Sequence, residues 1–424
     1  MKKITPPLFL LVLAGFAAAA DWPQWRGPNR DDVSKETGLL QSWPKEGPKL
    51  LWTFRNAGEG YSAPVIIGDM MYCMGADSQN ETIYALDLRT QMKKWSTPIN
   101  PRKTLDRGDG PRGATAADGD LLYGLSSQGV LICVKASNGD KSWSVDCHKD
   151  LGGDMQSGWG YSESPLVDGD QVVCTPGGKN GTMAALNKKT GEVIWRSKDW
   201  TDKAAYASIV AADLRGVHQY VQMTGDNVAG VDAKTGNLLW KFPRKGPTAA
   251  IPTPIVSGDF VFVSSGYGAG CNLIKITKDG DTFKADGVYD DKDIINHHGG
   301  VVLVDGYLYS YSDKGGWVCK ELLTGKVQWS KDKKDTKIGK GSLTCADGCL
   351  YCYSEDEGTC VLVQASPEGW KEKGRFTVPE TSKNHGKQNG GKFWTHPVVA
   401  NGKLYLRDQD LIWCYDVKAG MASR

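Results

Sequence analysis

The stretch Ala185-Leu-Asn-Lys-Lys-Thr-Gly-Glu-Val-Ile-Trp195 decides the fold of this chain, because versions of it recur along the sequence. Most versions have a small residue, a polar turn that contains Thr-Gly or Asn-Gly, and an apolar strand that ends in Trp. The tryptophans of this pattern are Trp52, Trp95, Trp143, Trp195, Trp240 and Trp329. They are separated by 43, 48, 52, 45 and 89 residues, and the last gap is close to two periods. Such a period predicts an array of similar structural units.

A second unit precedes these tryptophans and has the pattern of a β-hairpin. It consists of an apolar strand, a turn that carries Asp-Gly or Gly-Asp, and another apolar strand that ends in an aromatic residue. Eight such hairpins are found, near Ala63, Ala114, Ser164, Ala207, Thr253, Gly299, Ser342 and His396. Four strands in each unit of about 46 residues is the composition of a propeller blade. The sequence therefore predicts an all-β, eight-bladed β-propeller over residues 50–420.

The eighth unit runs from His396 to Val417 and stops without a closing Trp strand. The strand Leu50-Leu-Trp-Thr-Phe54 precedes the first hairpin and belongs to no blade of its own. We predict that it supplies the outermost strand of the last blade, because this arrangement closes the ring without a free sheet edge.

The repeat resembles the tryptophan-docking motif of the pyrroloquinoline quinone (PQQ)-like β-propeller repeat family. The likeness lies in the pattern Ala-x-Asp-x-x-Thr-Gly-x-x-x-Trp, seen at Ala185–Trp195 and Gly230–Trp240, and covers roughly residues 50–417. The resemblance implies that the turn Gly takes a positive φ and that each of the six tryptophans packs between adjacent blades. Residues 21–30 resemble the entry segment of secreted members of this family and, more loosely, that of quinoprotein alcohol dehydrogenases.

The first twenty residues have the features of a secretory signal peptide. Lys2 and Lys3 precede an apolar run from Leu8 to Phe16, and three alanines end at Ala20. Cleavage there would leave 49 basic and 49 acidic residues, so no basic surface for nucleic acid is expected. No other stretch approaches the roughly 20 apolar residues of a membrane span. We therefore expect a periplasmic or secreted protein with an N-terminal extension at residues 21–49.

The eleven cysteines occupy positions that sister blades fill with small residues. Cys133, for example, stands where Ala85 and Ala185 stand, so most of these thiols are predicted to act as compact hydrophobic residues. Cys345 and Cys349 flank a turn and are the best disulfide candidate. Together with Cys352 they form a Cys-x3-Cys-x2-Cys run, but no second cluster completes a set of four zinc ligands, so no metal site is predicted. The acidic run Asp290, Asp291 and Asp293 is more typical of a solvated loop than of a calcium site.

Five of the six histidines fall in the segments that enter the first strand of each unit, whereas His218 lies in an opposite hairpin turn. The longer entry segments also carry aromatic and charged residues. A wet funnel with aromatic platforms and convergent charges would suit a ligand, although solvated loops would have the same composition. The candidate binding residues are Arg112, His148, Trp159, Tyr161, Glu163, His297, His298, His385, Trp394 and His396.

Two classes of function remain. The first is a noncatalytic scaffold, without a cofactor, that binds an unknown protein or small-molecule ligand on the entry-loop face. The resemblance also implies an alternative, a quinoprotein dehydrogenase that oxidises an alcohol or sugar with PQQ and calcium. Many such enzymes stack PQQ on a disulfide between neighbouring cysteines, and no two cysteines are adjacent here. The family's catalytic Asp and calcium ligands match no motif, so no catalytic residue is predicted and the scaffold is favoured.

Overall fold

The computed structural model describes residues 21–105, 107–246, 248–386 and 391–420. The signal peptide expected at residues 1–20 lies outside these ranges. The described residues form β-strands, which pair antiparallel except for β1, and one turn of helix, α1, at Lys333–Thr336.

The strands fall into eight sheets, each of which is one blade. Two strands come from the N-terminal region: β1 Val33–Ser34 and β2 Lys49–Phe54. Blades 1 and 2 comprise β3 Val65–Ile67, β4 Met70–Ala76, β5 Asn80–Asp87, β6 Met92–Pro101, β7 Ala116–Asp118, β8 Leu121–Leu125, β9 Val130–Lys135 and β10 Lys141–Asp146. Blades 3 and 4 comprise β11 Leu166–Asp168, β12 Gln171–Cys174, β13 Ala184–Asn187, β14 Val193–Arg196, β15 Val210–Leu214, β16 Val217–Met223, β17 Asn227–Asp232 and β18 Leu238–Pro243.

The remaining four blades follow in chain order. Blades 5 and 6 comprise β19 Ile255–Ser257, β20 Phe260–Ser265, β21 Gly270–Asp279, β22 Thr282–Asp291, β23 Val301–Val304, β24 Tyr307–Ser312, β25 Gly316–Glu321 and β26 Val327–Lys331. Blade 7 comprises β27 Gly341–Ala346, β28 Cys349–Ser354, β29 Thr359–Gln364 and β30 Glu372–Thr377. Blade 8 begins with β31 Val398–Ala400, β32 Lys403–Asp408 and β33 Leu411–Asp416. The prediction of an eight-bladed propeller is thereby confirmed.

The N-terminal strand β2 closes the ring. It pairs antiparallel with β33 as the fourth strand of blade 8, and Trp52 lies opposite Cys414. The last blade is therefore assembled from both ends of the propeller sequence, as the missing Trp strand predicts. This pairing satisfies the edge of β33 that a chain without β2 would leave open.

Four of the repeated tryptophans connect their blade to the next. Trp195 at the outer edge of blade 3 donates from Nε1 to the carbonyl oxygen of Ala233 in blade 4, at 3.2 Å, and its ring covers Gly236 of the Thr-Gly turn. Trp95, Trp143 and Trp329 make the corresponding bond to the following blade. This contact explains why the motif needs both a Thr-Gly turn and a Trp.

Blade 4 departs from the pattern. Trp240 is buried but donates to Oε1 of Gln219 within its own blade, at 2.7 Å. Blade 5 has no Trp in this position, and Tyr289 donates instead from its hydroxyl to the carbonyl oxygen of Leu322 in blade 6, at 2.9 Å. A Trp pattern alone therefore misses this docking residue.

The cysteines are buried free thiols. The predicted disulfide between Cys345 and Cys349 is wrong, because the two residues belong to different cores. Cys345 packs between blades 6 and 7, whereas Cys349 packs between blades 7 and 8. The reason is the register of the hairpin: Cys345 pairs with Leu350, so the two sulfurs lie on opposite faces of the sheet.

The acidic run at the end of β22 neutralises a buried lysine. The ammonium of Lys320 is fully buried and contacts the carboxylates of both Asp291 and Asp293. These carboxylates are thus committed to an ion pair between blades 5 and 6. The acidic run therefore has a structural role, whereas its sequence pattern predicts a solvated loop.

Residues 21–34 fill the central channel, and we call them the plug. Asp21 contacts the β3–β4 turn, and Glu36, just beyond the plug, binds the β31–β32 turn, so both ends of the plug lie at the hairpin-turn mouth. Between these points the plug reaches the opposite face and returns as β1, which pairs parallel with β27. Further contacts run from Trp22 to Ile66, from Pro23 to Ala117, from Arg30 to Ser164, from Trp25 to Thr253, and from Arg26 to Val301.

Candidate functional site

A funnel opens at the face that carries the entry segments. Its cavity volume is about 180 Å³. The segments that precede the first strands of seven blades supply most of its wall, and the plug supplies its floor. The funnel is therefore a blind pocket rather than a pore through the ring.

Two residues of the plug, Trp25 and Arg26, form the floor together with His396. Arg26 is 1% exposed, and its Nε lies 3.0 Å from Oδ2 of Asp32. The same carboxylate oxygen lies 3.0 Å from Nδ1 of His396, whose other ring nitrogen is 2.8 Å from the carbonyl oxygen of His298. Trp25 packs against the ring of His396 at a centroid distance of 4.6 Å. These contacts hold the floor rigidly in place.

Aromatic rings form the sides of the funnel. Trp159 stacks on Tyr206 at a centroid distance of 5.4 Å, with an angle of 25° between the planes. Trp394 lies 5.0 Å from Tyr61 on the other side, and Trp394 also donates to Glu355 at 3.1 Å. Paired rings of this kind present flat apolar surfaces to a ligand.

Arg112 adds a cation to the wall. It donates to the backbone carbonyl oxygens of Trp159, Arg107 and Gly108. Within the described residues it makes no ion pair with a carboxylate at salt-bridge distance. Burial lowers the pKa of this guanidinium, so its charge is held in a poorly solvated place.

The two adjacent histidines differ in environment. Nδ1 of His297 lies 2.7 Å from Asp313 and 2.9 Å from the ammonium of Lys340. His298 lies deeper, and burial together with the neighbouring His396 lowers its pKa well below the ordinary value of 6.5. His298 is therefore neutral at pH 7, and its Nε2 lies 3.2 Å from Glu355 without a hydrogen-bond geometry.

Six of the ten predicted binding residues line the funnel, and the other four lie elsewhere. The six are Arg112, Trp159, His297, His298, Trp394 and His396. His148 is exposed against the ring of Tyr161, which is itself buried and donates to the carbonyl oxygen of Pro176. Glu163 is buried and accepts from the amide of Thr175, and His385 lies against Asp408 and Phe393. These four side chains are held in loops and blade cores.

The sequence interpretation omitted several lining residues. Trp25 and Arg26 come from the N-terminal extension, whose path through the channel no local pattern indicates. Tyr61 and Tyr206 precede the first strands of blades 1 and 4, and a search for aromatic residues in short entry segments would have found them. Tyr267 comes from the loop between β20 and β21.

The charge of the funnel has one sign. Arg26, Arg107 and Arg112 line it together with the three histidines, and none of the described lining residues is Asp or Glu. Asp313 and Glu355 contact His297 and Trp394 of the wall, and they are paired with Lys340 and Lys392. The funnel thus favours negative charge in a ligand.

The donor set does not fit calcium-bound PQQ. Calcium takes several oxygen ligands, chiefly carboxylates. No carboxylate faces the funnel among the residues described, and nowhere in those ranges do three His, Cys, Asp or Glu side chains form a group that suits a metal ion. The adjacent-cysteine platform of many quinoprotein enzymes is also absent from the sequence.

The fold and the funnel define a PQQ-like β-propeller with a plugged channel. A family model described as outer membrane protein assembly factor BamB, of the PQQ_2 type, matches residues 79–331, more than half of the chain. The chain belongs to this family. Within the described ranges, no helix has the length and apolar character needed to cross a membrane.

One relative and two solved structures are similar to this chain. The outer membrane protein assembly factor BamB of Burkholderia pseudomallei is 25% identical over an alignment of 273 residues, and the match covers 54% of this chain and 69% of that protein. The structure of BamB from Moraxella catarrhalis is 15% identical with a TM-score of 0.59, and the match covers 87% of this chain and 99% of that one. Quinohemoprotein alcohol dehydrogenase from Comamonas testosteroni is 12% identical with a TM-score of 0.62, covering 95% and 81%. At these identities the two structures show a common fold alone.

Proposed function

We propose that this protein is a noncatalytic binding propeller of the periplasm or the cell exterior, and that its funnel holds a ligand or part of a partner protein. The observation that carries the proposal is the plugged channel. The plug turns the centre of a rigid ring into a blind pocket whose side walls are aromatic and whose charged groups are positive. Pockets of this composition bind ligands by burial and a few polar contacts.

The relatives add support for a binding role. The matched family and the Burkholderia relative are described as an outer membrane protein assembly factor, a description that is compatible with a binding role. The fold itself is also used by a quinohemoprotein alcohol dehydrogenase. The composition of the funnel is therefore the basis for preferring the scaffold, since it offers no carboxylates for calcium.

The experiment combines capture with a test of catalysis. The immobilised protein is exposed to a periplasmic extract, and bound species are identified by mass spectrometry. We expect capture to be lost in a variant with His297→Ala, His298→Ala and Trp394→Ala. A control variant, His218→Ala, changes a partly exposed residue on the opposite face and should keep the captured species.

The catalytic arm supplies PQQ and calcium to the purified protein and measures dye reduction with alcohols and aldoses. We expect no turnover above the protein-free rate. Turnover that the triple variant abolishes would overturn the scaffold proposal in favour of a quinoprotein dehydrogenase. Unchanged capture by the triple variant would remove the funnel from the binding role.

A further inference from the structure

We propose that the floor of the funnel binds a carboxylate, and that the flat apolar body attached to this carboxylate lies between the aromatic walls. This inference rests on the proposed function and names the ligand chemistry of the same site. The carboxylate is that of a small organic acid or of the C-terminus of a polypeptide, which share the recognised group.

The first observation is an unsatisfied donor in the floor. Arg26 uses Nη2 to donate to the carbonyl oxygens of Asp31 and Val301, at 3.1 and 2.5 Å, and its Nε faces Asp32. Its Nη1 is buried and has no hydrogen-bond partner among the described residues. A buried donor without a partner is costly, especially on a charged group, so this position calls for an acceptor from outside the protein.

The second observation is the glycine that lies beside this donor. Gly300 lines the funnel beside Arg26 and His396, and its φ of +75° favours glycine. A Cβ at this position would lie 2.8 Å from Cε1 of His396 and 3.8 Å from Nη1 of Arg26. Glycine at residue 300 therefore keeps this side of the guanidinium free of a side chain, since a Cβ there would press against His396.

The third observation is the balance of charge. The carboxylate of Asp32 contacts Arg26, but three arginines, Arg26, Arg107 and Arg112, line the funnel, so the pocket retains positive character. Arg112 in the wall interacts with backbone carbonyls. A carboxylate at the floor would add the missing negative charge and accept a charge-assisted hydrogen bond from Nη1.

The aromatic walls define the rest of the ligand. The stacked pair of Trp159 and Tyr206 faces a cavity of about 180 Å³ that Trp25 and Trp394 also line. A flat ring or an aromatic side chain next to the carboxylate would bury its faces there. A purely polar acid would leave these walls solvated and gain little from them.

The test compares acids with neutral molecules of the same shape. Phenylacetate and the peptide Gly-Gly-Phe with a free C-terminus are titrated by calorimetry, alongside phenylacetamide and Gly-Gly-Phe-amide. We expect the free acids to bind more than about tenfold more tightly than the amides, since a charged hydrogen-bond partner is lost in the amides. Binding of phenylacetate alone identifies a small acid, and preferential binding of the peptide acid identifies a chain terminus.

Three variants locate the binding group. Arg26→Gln should reduce acid binding by more than about tenfold while leaving amide binding unchanged. Arg30→Gln is the matched control, because Arg30 is a buried arginine of the same plug that donates to Ser164 and Pro165 rather than lining the funnel. If Arg26→Gln fails to fold, Gly300→Asn introduces a residue that tolerates positive φ and places its side chain beside the guanidinium and against His396, so it should also block the acids.

Equal binding of acids and amides would overturn the carboxylate assignment and leave the funnel as a binding site. Absence of binding by all four probes would also overturn the assignment. In that case the capture experiment still decides the proposed function, because it does not depend on these probes. Normal acid binding by Arg26→Gln would contradict the role given to the floor.

Discussion

Trp195 shows how much one side chain contributes to the contact between blades. It is 7% exposed, stacks on Tyr220 of the next blade at 6.1 Å and donates to the carbonyl of Ala233. Removal of the ring would leave a cavity between two sheets. We expect Trp195→Ala to lower the free energy of unfolding by about 3 to 5 kcal/mol, measured by guanidinium titration.

The control for this substitution is Trp329→Ala. Trp329 makes the same interblade hydrogen bond but is only partly buried, so its loss should be smaller. A loss below about 1 kcal/mol for Trp195→Ala would show that the docking contact adds little to stability.

The single residue Glu163 should make the free energy of unfolding depend on pH. It is 2% exposed, and burial raises its pKa from 4.5 to about 8. Between these values the folded protein holds a proton that the unfolded chain has lost. The free energy of unfolding should therefore fall as the pH rises from 5 to 8, with a slope of at most about 1.4 kcal/mol per pH unit from this group.

The measurement compares unfolding titrations of the wild type and Glu163→Gln across this range. We expect Glu163→Gln to lose less stability than the wild type as the pH rises, because its amide does not ionise. Glu192→Gln, a change at an exposed carboxylate, should leave the wild-type slope in place. Parallel pH profiles for wild type and Glu163→Gln would mean that Glu163 is ionised in the folded protein.

At the scale of the element, the Thr-Gly turn and the Trp strand of the preceding blade form one unit. Gly236 has a φ of +74°, and a Cβ there would overlap the ring of Trp195. We expect Gly236→Ala to lower the melting temperature through both backbone strain and displacement of the ring. The measurement is thermal unfolding followed by circular dichroism.

The substitution Gly216→Ala, in the same blade, separates the effect of backbone strain from that of displacing the Trp195 ring. The φ of Gly216 is +78°, but nothing lies within 4 Å of a Cβ added there. Gly216→Ala therefore reports backbone strain alone, which is about 1 kcal/mol or slightly more. If both substitutions lower the melting temperature equally, the turn does not depend on its contact with Trp195.

At the scale of the whole molecule, the N-terminal region has two separate roles. Residues 21–34 plug the channel, and β2 closes the ring in blade 8. A variant that lacks residues 21–48 should lose the floor of the funnel but keep a closed ring. A variant that lacks residues 21–54 should have a lower melting temperature still, because it also exposes the edge of β33.

The two truncations differ only by the six residues of β2, so their difference measures ring closure. Analytical ultracentrifugation should show self-association of the shorter variant, since open strand edges pair with other chains. Identical melting temperatures for the two truncations would contradict a stabilising role of β2.

The repeat predicts the fold because each blade is built from local patterns. Strand alternation, the Thr-Gly turn and the Trp at the end are all visible within about 46 residues, and the unpaired strand around Trp52 indicates where the ring closes. The same reasoning locates the face of the funnel, because entry segments of different blades converge on the propeller axis. This reasoning does not predict which way a single side chain points. Glu163 is predicted to face the funnel but is buried, whereas the neighbouring Ser162 lines the funnel.

By itself, the sequence determined the eight blades, the closing strand and the set of loops that surround the axis, since each depends on contacts within one blade or on a strand left without a partner. Only the tertiary structure decided that Arg26 lies beside Gly300 and His396, and that Cys345 and Cys349 are apart. The physical reason is that these relations depend on packing across the channel and on which face of a sheet a side chain takes. Arg26, Gly300 and His396 are far apart in the sequence but lie together in the floor, and the repeat pattern does not predict contacts of this kind.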